Sequence, residues 1–134
     1  MSLSKTYIRS EKKGRDFWGE PAWTTIHSLA AAYTPDKCDE FKTFVTSFFK
    51  LLPCPSCSKH AQANLKILPL EPYLGNNHDL FFWTYVFHDA VNQQCNERNT
   101  SENRDKPKKS SPNYDDIKTY YFKALVSECK VCAS

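Results

Sequence analysis

Phe41-Lys-Thr-Phe44-Val45-Thr-Ser-Phe48-Phe49-Lys-Leu51-Leu52-Pro53 is the stretch whose reading decides the fold class. Phe41, Phe44, Val45, Phe48, Phe49 and Leu52 recur at steps of three and four residues, which lines one face of an α-helix with apolar side chains. Such a stripe needs a partner surface, and a bundle of helices supplies one. Pro53 stops the helix.

Working outward, a first helix fits residues 21–33. Pro21 suits a first turn, where its missing N–H costs nothing, and Thr34-Pro35 ends the run. Trp23, Ile26, His27, Ala30 and Tyr33 keep helical spacing. Cys54 opens a third helix reaching to about residue 68, and a fourth covers roughly 79–95 with Asp79 as its N-cap. Residues 96–112 are polar and contain two prolines, so they read as a loop. A fifth helix follows over about 113–128, where Ile117, Tyr121 and Leu125 step by four. No segment alternates as a strand does. The expectation is an all-α helical bundle.

At 134 residues the chain has the size of one domain with one core. We divide it into a flexible basic tail (1–16), the helical domain (17–128) and a C-terminal tail (129–134). Only 3 glycines are present, with no G-x-G-x-x-G or P-loop pattern, so a dinucleotide would not be held in the Rossmann manner. The net charge of +3 is small, and the basic clusters at 5–15 and 104–109 are segregated from the aromatics. A nucleic-acid surface would interleave them on an ordered element, so that function is not expected. No apolar run is long enough to span a bilayer, and no apolar segment follows the charged N-terminus. The chain therefore reads as soluble and untargeted, which makes the cytoplasm the expected compartment.

Four of the 6 cysteines form two C-x-x-C pairs, Cys54-Pro-Ser-Cys57 and Cys129-Lys-Val-Cys132. Cys54 and Cys57 follow Pro53 at a helix start, where unpaired N–H groups and the positive end of the helix dipole favour a thiolate. A thiolate attacks disulfides and electrophilic cofactors. The same spacing also suits half of a zinc site completed by Cys129 and Cys132, and spacing alone leaves both readings open. His27 shares a helical face with Trp23. His88 and Asn92, four residues apart, share a face beside Trp83, Phe87 and Val91. These groups match the ring nitrogens and oxygens of a flat heterocycle, and equally a polar helix–helix contact.

In order along the chain stand Trp18-Gly19, Trp23 and His27, then Pro53-Cys54-x-x-Cys57 with His60, then Trp83-x-x-x-x-His88-x-x-Val91-Asn92. This series resembles the Erv/ALR family of FAD-linked sulfhydryl oxidases, whose pattern is WG-x-x-x-W-x-x-x-H, PC-x-x-C and W-x-x-x-x-HN-x-VN. The resemblance covers about residues 17–95.

The resemblance implies a four-helix bundle plus a short fifth helix, a homodimer, and FAD held between the helices. Carried over, Trp18, Gly19, Trp23, His27, Tyr33, His60, Trp83, His88, Asp89, Val91 and Asn92 would form the cofactor site. Cys54–Cys57 would be the active disulfide. Cys57 would sit nearer the flavin as the charge-transfer thiolate, and Cys54 would be attacked by the incoming thiol. Thiol-containing proteins or a dithiol carrier would be the partners, O2 the electron acceptor and H2O2 the product. Cys129–Cys132 would be a shuttle disulfide, while Cys38 and Cys95 have no family role and read either as a pair or, the preferred reading, as buried free thiols. No metal is expected on this reading. The alternative is a structural zinc-binding interaction module using both C-x-x-C pairs.

Three positions depart from the pattern. Asp89 replaces an Asn, Glu20 stands where some members have Arg, and Gln94 and Glu97 replace basic residues of cellular members. Lys106 is the residue expected to take over that basic role. The short chain is most similar to members encoded by large DNA viruses, which would place it in a host cytoplasm or a virion.

Overall fold

The computed structural model describes residues 11–133, with side chains through residue 125. Among the described residues five α-helices follow one another: α1 (Arg15–Ala31), α2 (Cys38–Lys50), α3 (Pro55–Ile67), α4 (Asn77–Ser101) and α5 (Tyr114–Ala133). Single 3-10 turns lie at Pro35–Lys37 and Glu71–Tyr73. No strand occurs among the described residues. None of the described helices is long and apolar enough to cross a membrane.

The apolar stripe of α2 does what its spacing demands. Phe41, Val45 and Phe49 are buried, one per turn, and Phe49 stacks on Phe87 of α4 with ring centroids 5.2 Å apart. α4 is the central element, with Leu80, Phe81, Trp83, Thr84 and Phe87 all essentially inaccessible to solvent. It packs mainly along α1; α5 lies against α1, and α2 against α3. Each large apolar side chain removed from water in this way contributes about 1.5–3 kcal/mol.

Four helix boundaries differ from the sequence reading. α1 starts at Arg15, six residues before Pro21, so Pro21 lies inside the helix. The start is set by Gly14, whose φ of 57° suits glycine and whose carbonyl accepts from Phe17 N and Trp18 N at 2.9 and 3.2 Å. A proline near a helix start marks N1 only when nothing upstream offers a better cap. For α4 the cap is Asn76, whose side-chain oxygen accepts from Asp79 N at 2.8 Å, which makes Asp79 the third residue of the helix. α4 also continues through residues 96–101, because Asn99 is buried and Asn96 is tied to the following loop. Polarity alone misreads such a segment. α5 runs to Ala133, past its expected end near 128. Cys129 and Cys132 therefore occupy helical positions, while their side chains lie outside the described residues.

Candidate functional site

Cys54 is the N-cap of α3. Its backbone is extended (φ −138°, ψ 109°), Pro55 takes the first helical position, and its sulfur accepts from Cys57 N at 3.2 Å. The two cysteines form a disulfide with Cα atoms 5.2 Å apart. A disulfide sulfur carries no hydrogen, so the Ser56 hydroxyl is the donor in its 3.3 Å contact with Cys54 Sγ. Two donors and the positive end of α3 thus converge on the Cys54 sulfur, which makes it a good thiolate when released.

Cys57 faces inward. It lines a narrow slot of about 80 Å³ between α1, α2, α3 and α4, with Trp18, Trp23, Phe49 and Phe87 among the walls. Arg15, Gly19, Trp23 and Val91 line both this slot and a larger cleft of about 660 Å³. The slot and the cleft therefore adjoin one another along α1 and α4. The cleft is within the range of cofactor sites. Its wall holds the stacked Trp23 and His88 rings, and Lys12, Arg15 and Lys109 line it together with Asp16 and Glu20, Glu20 lying 3.9 Å from Lys12.

Behind the stack runs a chain of hydrogen bonds whose direction is fixed by its inner end. The Thr84 hydroxyl donates to Phe81 O at 2.6 Å, so its oxygen accepts from His27 Nδ1–H at 2.8 Å. His27 Nε2 is then the acceptor for His88 Nδ1–H at 3.1 Å. Both rings are neutral. Burial, with His88 nearby, lowers His27 from its ordinary 6.5 to about 3. Burial, with Lys109 adding to it and Asp89 opposing, lowers His88 to about 4. This network leaves His88 Nε2 as a bare acceptor.

The loop after α4 is strapped back along that helix. Tyr85 donates to Pro112 O at 2.6 Å, and the Ser111 hydroxyl donates to Asp89 at 2.7 Å. Asn92 donates to Ser111 Oγ at 3.3 Å, and Asn96 exchanges two bonds with the Lys109 backbone at 2.7 and 2.8 Å. This is how Lys109 reaches the cleft.

Of the residues named from sequence, Gly19, Trp23, His27, His88, Val91 and Asn92 meet at the cleft, while Trp18, Cys57 and His60 meet at the slot. Tyr33 and Trp83 line neither. Tyr33 is buried and donates to Leu74 O at 2.8 Å, and the Trp83 indole donates to Leu68 O at 3.0 Å. Asp89 acts on the strap, and Lys109 rather than Lys106 lines the cleft. Cys38 and Cys95 are free thiols, Cys95 being buried. Among the described residues no group of three or more His, Cys, Asp or Glu side chains is arranged to hold a metal ion.

Residues that the sequence reading missed include Lys12 and Arg15, hidden in a segment read as tail. Thr84 had a signal, since it stands four residues before His88 on the same face. The reciprocal amide pair of Asn64 and Gln94, with bonds of 2.9 and 2.8 Å joining α3 to α4, had none.

An aromatic slot ending at a disulfide, with Arg15 and Arg98 on its wall, and an adjoining cleft with basic residues together suit a flat ring carrying an anionic extension. FAD has that chemistry, and the residues present fit it. A family model described as the Erv1 / Alr family matches residues 20–112. An FAD-linked sulfhydryl oxidase of African swine fever virus (isolate Tick/Malawi/Lil 20-1/1983) is 33% identical over 85 residues, covering 60% of this chain and 70% of that protein. That of isolate Pig/Kenya/KEN-50/1950 is 31% identical over 85 residues, with the same coverage of 60% and 70%. The mitochondrial FAD-linked sulfhydryl oxidase ERV1 of Saccharomyces cerevisiae is 28% identical over 98 residues, covering 70% of this chain and 51% of that protein. No solved structure matches the chain.

Proposed function

The chain belongs to the Erv1/Alr family and is an FAD-linked sulfhydryl oxidase, and on that premise we propose that Cys54 and Cys57 are its reacting pair and that thiol-containing proteins are its substrates. The observation that carries this reading is the position of Cys57, one sulfur of a helix-capping disulfide, in the wall of a slot adjoining the larger cleft.

The geometry supports a division of labour between the two cysteines. An incoming substrate thiolate attacks Cys54 Sγ, which breaks the Cys54–Cys57 bond and releases Cys57 as a thiolate on the slot side. A second substrate thiol then attacks the mixed disulfide and expels Cys54. The Cys57 N–H, the Ser56 hydroxyl and the α3 N-terminus stabilise Cys54 as it leaves. Bound FAD supplies the acceptor for two electrons and their route to oxygen. The net reaction balances as two thiols plus O2 giving one disulfide plus H2O2.

Trp23, His27, His88, Val91 and Asn92 position the cofactor in this reading, with Trp18, Gly19 and His60 at the slot. Lys109 takes the place expected of Lys106. Cys129 and Cys132 would relay electrons from substrate to Cys54–Cys57. A homodimer, in which one tail could serve the partner's site, is part of the same proposal. A visible spectrum recorded before and after dithiothreitol, with oxygen consumption followed in parallel, is the direct test. A yellow protein that bleaches while oxygen is used supports the reading, and a colourless protein without oxygen uptake defeats it.

A further inference from the structure

Arg98 sits in the last turn of α4, within the segment whose sequence reads as loop. Its guanidinium meets His60 Nδ1 of α3 at 3.1 Å. A guanidinium has no acceptor, so His60 Nδ1 supplies the lone pair and the ring proton is on Nε2. Arg98, His60 and Cys57 all line the same narrow slot, and Arg15 reaches it from α1. Among the described residues no carboxylate lines that slot. Phe48, Phe49, Leu52 and Phe87 form much of the rest, while the Arg98–His60 pair stands at the solvent-exposed rim. A wall with guanidinium groups and no anion fits a ligand that becomes negative in place.

We propose that Arg98, held by His60, stabilises the negative charge that enters the slot from Cys57 and thereby raises the reduction potential of the flavin bound there. The proposal rests on the thiol-oxidase reading above and adds a residue to it. When Cys54 and Cys57 pass from dithiol to disulfide they release two electrons and two protons. Both electrons enter the ring, one proton follows them, and the other goes to solvent. One net negative charge is left in the slot, and the Arg98 guanidinium offsets it. His60 is a positioning residue that aims the guanidinium. A cation in the last turn of a helix also interacts favourably with the helix dipole, but that role would change stability and leave the potential alone.

The test compares the parent holoprotein with Arg98→Gln and Arg98→Lys. FAD per chain is read from the visible spectrum, and the midpoint potential of the bound flavin from equilibration with a reference dye. Arg98→Gln is expected to shift the reduced-to-oxidised ratio about tenfold towards oxidised, which is about 30 mV for a two-electron couple. Arg98→Lys keeps the charge and is expected to stay near the parent. If the two variants behave alike, both as the parent or both altered, charge is not what matters and the proposal fails. A parent purified without FAD overturns the thiol-oxidase reading itself, and the proposal with it, before any variant is compared.

Discussion

Trp23 of α1 and His88 of α4 lie face to face, with ring centroids 4.0 Å apart and planes 8° from parallel. The pair closes one wall of the cleft and joins the two helices that pack most closely. An aromatic contact of this kind contributes about 0.5–1.5 kcal/mol beyond the area it buries. Trp23→Ala is therefore expected to weaken FAD binding by about tenfold or more while the chain stays helical. Flavin retention through gel filtration, beside a far-ultraviolet circular dichroism spectrum, checks both halves of that statement.

His27 and His88 give the fold a dependence on acid. Both are lowered from 6.5, to about 3 and about 4, so the unfolded chain binds protons that the native one refuses. The stability they allow is complete above about pH 6.5 and is lost as the pH falls from there towards 4. Urea midpoints measured at pH 7.5, 6 and 5 should fall in that order. His27→Gln should flatten the trend, and an unchanged slope in that variant would count against the neutral histidine chain.

Cys54→Ser and Cys57→Ser should both lose oxidase turnover to background, for different reasons. Cys54→Ser leaves a thiol facing the slot, and Cys57→Ser leaves one at the helix cap. Cys54→Ser should keep a thiolate-dependent long-wavelength absorbance of the bound flavin, and Cys57→Ser should not. The same absorbance in both variants would contradict the inward assignment of Cys57.

Asp89 departs from the family pattern, and its structural partner is Ser111 on the strap. Asp89→Ala leaves that hydroxyl without its acceptor at a cost of about 1–3 kcal/mol, whereas Asp89→Asn keeps an oxygen in place. Hydrogen exchange over residues 104–113 should rise in the alanine variant and change little in the asparagine one.

Leu80 is fully buried in α4. Leu80→Ala is expected to remove about 2–5 kcal/mol of stability, read as a lower urea midpoint without a change in FAD content per folded chain.

How far the sequence reaches can be judged from particular elements. The α2 stripe was legible because Phe41, Val45 and Phe49 depend only on helical period, and the core follows it. The C-x-x-C pair was legible because Pro53, Cys54 and Pro55 mark a helix start in any context. The C-terminal part of α4 was not, since residues 96–101 look like loop until Lys109 and the buried Asn99 are in place. That single miss hid Arg98. Tyr33 and Trp83 sit at pattern positions, yet their polar atoms bond to backbone carbonyls at helix and loop junctions. Periodicity reports which way a side chain leans, not what its far end meets.

The paired amides of Asn64 and Gln94 have a further consequence. On the proposed mechanism each catalytic cycle opens the Cys54–Cys57 link at the start of α3. The amide clasp two turns along carries no charge and no sulfur, so reducing the disulfide alters none of its atoms. Helix α3 is thus anchored to α4 by a contact that takes no part in electron transfer, and on that mechanism the reduced half of the cycle would begin from the alignment that the oxidised half left behind.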